Sequence, residues 1–200
     1  SRSTAGSAPM ATVTGIGAAL DAIAARMDKD KDILFLFLTS HGSRDHELSL
    51  HLDGIALRGL EAQELGELLR RSGIRWKVIL VSACYGGGFI DHVKDEGTLV
   101  ISAARRDRQS FGCADENEFT YFGRAFFKEA LPAAGSFQDA FARAAALVQE
   151  WESADRRSGK RAAPAAAATA PVAFSLPQIH DPAPIREHLE RWWAGRGARK

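Results

Sequence analysis

The sequence predicts one α/β domain over residues 1–200, with a mostly parallel β-sheet covered by helices on both faces. Continuous apolar runs, typical of buried strands, occur at 33–38 and 78–81, and the segment 99–102 is apolar up to its last residue, Ser102. Segments with apolar residues at helical spacing alternate with these runs. A chain of 200 residues can bury one sizeable core but is short for two ordinary domains.

The first half of the chain predicts two helices and two strands. Apolar residues recur at helical spacing over 16–27, which predicts an amphipathic helix. The run 33–38 has turn signals on both sides and predicts a strand buried on both faces. Leucines alternate with polar residues over 48–52, as in a short, half-exposed strand. Leucines at helical spacing after residue 64 predict a helix that ends near Gly73.

The second half of the chain begins with the predicted buried strands 78–81 and 99–102. A helix follows, and its phenylalanines at 119, 122 and 126 are expected to face the core. Ser136 then caps a long helix, with Asp139 three residues later. An Ala/Pro-rich stretch over 158–171 predicts a loop. A last strand at 172–176 and a helix ending at Gly195 complete the domain over 172–195.

Composition narrows the classes of partner. A formal net charge of +1 gives no electrostatic reason to expect nucleic acid or an anionic membrane as partner. The longest apolar run is far too short to span a bilayer, and no signal peptide is visible, so the compartment stays open. Two cysteines do not form a disulfide framework: either Cys84 and Cys113 pair, or at least one is a free thiol.

Two chemically reactive segments follow two of the predicted strands. Ser40-His41-Gly42 comes directly after 33–38, and Cys84 with its glycine-rich continuation comes directly after 78–81. Ligands of such sheets bind at the carboxyl ends of the strands. If the two strands are neighbours, His41 and Cys84 emerge side by side, where they can form a thiolate–imidazolium or general-base pair. The N–H groups of Gly42 and Cys84 could then form an oxyanion hole.

These segments resemble the legumain family of cysteine peptidases, peptidase C13, within the caspase-like clan, and a bacterial member is expected. The similarity rests on the segments 37–43 and 81–87, and continues in the same order through 101–104, 109–116 and 120–123. It covers about residues 16–130. The resemblance implies a caspase-like three-layer α/β/α sandwich whose first strand lies upstream of the residues present.

The resemblance also implies a cysteine endopeptidase that acts on a peptide or protein substrate without a metal or other cofactor. Cys84 would form a thioester, His41 would act as general acid and base, and the amides of Gly42 and Cys84 would hold the oxyanion. A transpeptidase or transamidase of the same fold, and an inactive caspase-like interaction module, remain as alternatives.

The sequence departs from the family at the specificity pocket. Eukaryotic members have a Glu where this chain has Ser82, and the downstream acid has a counterpart only in Asp115 or Glu116. The family's pocket arginine comes from the upstream strand. We therefore expect no inherited preference for asparagine, but a smaller, less charged pocket lined by Ser82 and Ser102, with Asp115 and Glu116 as further substrate-binding candidates.

Two other kinds of site are disfavoured. His41, His46 and His51 are five residues apart without an acidic or cysteine ligand in register, so His46 and His51 are expected to face solvent rather than a metal. A cysteine phosphatase would need an arginine six residues after the nucleophile, and that residue is Ile90. Cys113 is expected to be structural.

Overall fold

A computed structural model of the chain describes residues 10–52, 54–112, 118–158 and 173–197. The described strands form a four-stranded sheet and a small antiparallel pair. The larger sheet contains, in chain order, β1 (Ile33–Thr39), β4 (Trp76–Ser82), β5 (Thr98–Ser102) and β6 (Gln178–His180). β2 (Glu47–Leu48) and β3 (Leu60–Glu61) form the pair. The sheet order is β1-β4-β5-β6; β1, β4 and β5 are parallel, and β6 is antiparallel to β5.

Helices cover both faces of the larger sheet. One face carries α1 (Val13–Ala24), α2 (Ala62–Ser72) and α3 (Ile90–Val93). The other face carries α4 (Tyr121–Gly123), which continues as a π-helix over Arg124–Ala130, together with α5 (Phe137–Arg157) and α6 (Ala183–Gly197). Each helical layer has its own hydrophobic cluster against the sheet. The predicted three-layer α/β/α sandwich with a mostly parallel sheet is therefore confirmed.

Local sequence signals explain several of the boundaries. The Ser136 hydroxyl accepts a hydrogen bond from the Asp139 N–H at 3.0 Å, so α5 begins at the predicted N-cap. α2 ends at Gly73, whose φ of +68° is a left-handed conformation that glycine adopts without a Cβ penalty. Every residue of β4 is buried, as expected for the central strand of a sheet covered on both faces.

Three elements differ from expectation. β1 is an edge strand in the described sheet, so Phe35 and Phe37 stay 43% and 40% exposed rather than buried. The last strand is β6 at 178–180, not 172–176, because the pairing with β5 begins only after Pro177. Phe119 is 42% exposed and lies before α4, whereas Phe122 and Phe126 are in the core.

The described helices include none that is long and apolar enough to cross a membrane. The predicted loop 158–171 lies outside the described residues, apart from Ser158, which follows α5.

Candidate active site

The pairing of β1 with β4 brings the two reactive segments to the same edge of the sheet. The two strands are parallel neighbours, and their last paired residues are Thr39 and Ser82. His41 and Cys84 each follow two residues later. His41 is exposed and Cys84 is half-buried and free. The structure thus brings together the predicted histidine and cysteine segments at the carboxyl ends of adjacent strands.

Gly42 packs directly against the backbone of Cys84. A Cβ added to Gly42 would lie 2.1 Å from the Cys84 carbonyl oxygen and 3.2 Å from the Ala83 Cβ. No side chain fits there without displacing the Cys84 peptide. The requirement for glycine after His41 is therefore steric, and it keeps the two segments in backbone contact.

Two amides at this contact have no acceptor. Within the part of the chain that the structure describes, the N–H groups of Gly42 and Cys84 make no hydrogen bond. The residues that follow them are engaged: the Ser43 N–H donates to the Glu47 carbonyl at 2.9 Å, and the Tyr85 N–H donates to the Arg108 carbonyl at 2.7 Å. Most backbone donors in folded proteins are paired, so two adjacent segments with free N–H groups offer donors for an oxygen of a bound substrate.

The chain turns sharply after Cys84. Tyr85 has a φ of +57°, a left-handed conformation that costs about 1 kcal/mol or more for a residue other than glycine. The turn is held by hydrogen bonds from the N–H of Tyr85 and of Gly87, the latter to the Ala104 carbonyl at 2.8 Å. A short 3₁₀ turn, Gly86–Phe89, follows. Cys84 therefore lies at the point where the chain leaves β4 and enters this turn.

The Cys84 sulfur lies near Ser110 rather than in a hydrogen bond with His41. Its distances to the carbonyl oxygen and the hydroxyl oxygen of Ser110 are 3.6 and 3.7 Å. The His41 ring has no hydrogen-bond partner among the described residues. Because catalytic hydrogen bonds are often formed only when substrate is bound, this arrangement is compatible with a Cys/His pair that closes by side-chain rotation.

The predicted pocket residues are not brought together. Ser82 and Ser102 are 2% and 0% exposed. Ser102 pairs with Val81, so Ser82, the next residue of β4, lies on the opposite face of the sheet. The Ser82 hydroxyl is 3.2 Å from the Thr120 hydroxyl, and the Ser102 hydroxyl donates to the Ala104 carbonyl at 2.9 Å. Successive side chains of a strand point to opposite faces, and this alternation separates the two serines. Both hydroxyls are thus occupied within the protein, and a role for them in substrate binding stays a prediction.

Asp115 and Glu116, the other two candidates, lie outside the described residues, as does Cys113. In the described ranges no group of three or more His, Cys, Asp or Glu side chains could hold a metal ion.

His46 is not the solvent-facing residue that its spacing predicted. It is half-buried, its φ is +60°, and its Nδ1 is buried without a partner. The imidazole ring packs on the backbone of Gly88, where an added Cβ would be 2.1 Å from the ring Cγ and Nδ1. His51 is exposed, as predicted. The loop after His41 therefore contacts the turn after Cys84 a second time, in addition to the contact made by Gly42.

We expect Gly88→Ala to destabilise the fold by about 1–3 kcal/mol, because the new methyl group overlaps the His46 ring. His46→Gly removes the ring and suits the positive φ. The double variant should recover most of the loss. Urea denaturation of the four proteins in the cycle measures this coupling. Additive effects of the two substitutions would show that the contact carries no coupling energy.

Two features of this sheet edge were not predicted from the sequence: the contact of Ser110 with the sulfur, and the arginines near Tyr85. Ser110 was part of a recognised segment, but nothing in its spacing indicates that its carbonyl contacts the sulfur. The arginines near Tyr85, namely Arg44, Arg105 and Arg106, come from loops whose meeting depends on the β4–β5 register. The three arginines within 105–108 were the available signal, but in isolation this segment resembles a solvated loop.

The fold and the strand-end Cys/His segments support a cysteine peptidase-type function. A family model described as the Peptidase C13 family matches residues 10–163, more than half of the chain, and the chain belongs to this family.

The search of curated proteins gives no significant match. Among solved structures, the crystal structure of Caspase-1 from Spodoptera frugiperda is similar, with a TM-score of 0.54 and 16% sequence identity. The alignment covers 82% of this chain and 66% of that chain, so the chain spans just under two thirds of that relative's length. At this identity the likeness shows the fold alone.

Proposed function

We propose that this chain is a cysteine endopeptidase that cleaves peptide bonds through a thioester on Cys84, with His41 as general acid and base. The observation that carries the proposal is the pair of unpaired N–H groups on Gly42 and Cys84, one in each of the two segments that the Gly42–Cys84 backbone contact joins. Family membership gives independent support for the class of chemistry.

In the first half of the reaction, the Cys84 thiolate attacks the carbonyl carbon of the scissile bond. The carbonyl oxygen gains the negative charge, and the amides of Gly42 and Cys84 donate hydrogen bonds to it. The C–N bond then breaks, the protonated His41 gives its proton to the leaving amine, and an acyl thioester remains on Cys84.

In the second half, neutral His41 takes a proton from water, which attacks the thioester. The C–S bond breaks, the acid product leaves, and His41 returns the proton to the departing sulfur. An amine in place of water would give transpeptidation by the same route. For either step the Cys84 side chain must turn from Ser110 toward His41.

The test is digestion of a peptide library by the parent protein and by its Cys84→Ala variant, with mass spectrometry of the products. We expect cleavage by the parent, loss of cleavage after treatment with iodoacetamide, and none by the variant. Added hydroxylamine should appear in the acyl product if an amine can replace water. Equal cleavage by both proteins would exclude Cys84 as nucleophile.

The alternative of an inactive interaction module makes the opposite prediction. The contact of the sulfur with Ser110 is the observation in its favour. Such a module should cleave no peptide, and its Cys84 should react with iodoacetamide at pH 6 no faster than a free cysteine does. An activated Cys/His pair should react faster, since the thiolate is the reactive form.

A further inference from the structure

A cavity of about 450 Å³ lies beside the turn that follows Cys84. Its lining includes six charged or aromatic residues from three loops: Arg44, His46, Tyr85, Arg105, Arg106 and Asp107. The backbone there is closely packed, since a Cβ on Gly87 would lie 2.6 Å from the Arg106 backbone nitrogen. The cavity has space for a side chain of a bound peptide.

The residues that line the cavity indicate on which side of the scissile bond it lies. Arg44 comes three residues after His41, and Tyr85 directly follows Cys84. In the proposed reaction His41 faces the leaving nitrogen, and the loop that follows His41 lines the cavity through Arg44 and His46. On this connectivity we assign the cavity to the leaving-group side of the scissile bond.

The charges around the cavity do not cancel. Arg105 forms a bidentate pair with Asp107 at 2.6 and 2.9 Å, and this hydrogen bonding holds the pKa of Asp107 below its ordinary value. Arg106 pairs with Asp91 at 3.1 Å, outside the lining residues. The pKa of Asp91 is also lowered, chiefly by its hydrogen bond with Lys94. These carboxylates stay ionised at neutral pH, so two of the three arginines are already paired.

Arg44 is the arginine without a carboxylate. Its guanidinium lies over the Tyr85 ring, 5.5 Å from the centroid, and no salt bridge to it occurs among the described residues. A cation–π contact with the ring face uses none of the guanidinium N–H donors. These donors can bind a carboxylate in bidentate geometry.

We propose that this cavity is a subsite for an acidic side chain, Asp or Glu, on the leaving-group side of the cleaved bond, with Arg44 as the residue that binds the carboxylate. The inference rests on the proposed peptidase function and adds a substrate class to it. Because the site is open to solvent, its contribution is moderate and decreases with added salt.

The experiment compares kcat/KM for peptides that carry Asp or Glu, the isosteric Asn or Gln, or Lys at each position after the scissile bond. We expect the parent protein to favour acid over amide by roughly tenfold at one position, the effect of a single charge-assisted pair. Arg44→Gln should abolish the preference, and Arg44→Glu should reverse it toward Lys. Arg143→Gln is the matched control, since Arg143 pairs with Asp139 on α5 and does not line the cavity.

An unchanged acid preference in Arg44→Glu, or cleavage by the parent without any acid preference, would overturn the inference and leave the proposed function intact. Fluorescence anisotropy with the Cys84→Ala variant separates the two claims further. Tighter binding of the acidic peptides, lost on Arg44→Glu, supports the subsite even if no protein cleaves. Equal binding of acidic and amide peptides in that case overturns it.

Discussion

The His41→Ala variant is expected to fold like the parent protein and to lose between about 10² and 10⁴ in kcat. The side chain is exposed and makes no hydrogen bond to other described residues, so its removal should change the free energy of unfolding by less than about 0.5 kcal/mol. The leaving amine then departs without its proton donor, and water attacks the thioester without a base. The measurement is kcat at saturating peptide, with urea denaturation alongside.

His92→Ala is the control for His41→Ala, because His92 is also an exposed histidine and lies on α3. It should keep the parent activity. Added imidazole should restore part of the activity of His41→Ala but not of Cys84→Ala, since the vacated position is open to solvent. Equal activity of the His41→Ala and His92→Ala variants would mean that His41 takes no part in the chemistry.

Much of this sheet edge could be predicted from the sequence because short-range rules determine it. Two apolar runs of strand length predict buried parallel strands, with the His41 and Cys84 segments at their carboxyl ends. The condition for a joint site was that the two strands are neighbours, and the pairing of Thr39 with Ser82 meets it. Likewise the Ser136 cap and Gly73 mark helix ends through interactions within a few residues, which periodicity and turn chemistry describe well.

What could not be predicted depends on which face or edge each element occupies. Phe35 and Phe37 belong to an apolar run that is equally typical of a central strand and of an edge strand. The order of the strands in the sheet decides how exposed the two side chains are. Ser82 and Ser102 are the last residues of the buried strands β4 and β5, yet they lie on opposite faces of the sheet. A pocket lined by both serines requires that they share a face of the sheet. Alternation within each strand does not show this, because it depends on the register between the two strands.

The loop after His41 gives the clearest case of long-range placement. Local spacing made His46 a surface histidine, but its ring covers Gly88, 42 residues further along the chain. The same loop carries Gly42 onto Cys84 and Arg44 over Tyr85. Three contacts from five consecutive residues therefore couple the histidine segment to the cysteine segment. We infer that this loop positions the two halves of the site, beyond carrying the histidine.

The Gly42→Ala variant tests that coupling at its closest point. The added methyl group would be 2.1 Å from the Cys84 carbonyl oxygen, so the Cys84 peptide must move by about 1 Å to reach ordinary contact distance. Both N–H groups proposed to bind the oxyanion then lose their alignment. Loss of one such donor costs about 10²–10³ in kcat, and a displacement of this size costs about 10². We expect kcat to fall by at least about 10².

Alkylation separates this mechanism from general damage to the site. Reaction of Cys84 with iodoacetamide forms no oxyanion at a carbonyl, so its rate in Gly42→Ala should fall far less than kcat does. Gly135→Ala is the matched glycine control, because a Cβ there meets nothing within 4 Å. If Gly42→Ala lost alkylation and peptide cleavage in equal proportion, the displaced Cys84 peptide would have disabled the thiol itself. The Gly42 amide would then need no role in holding the oxyanion.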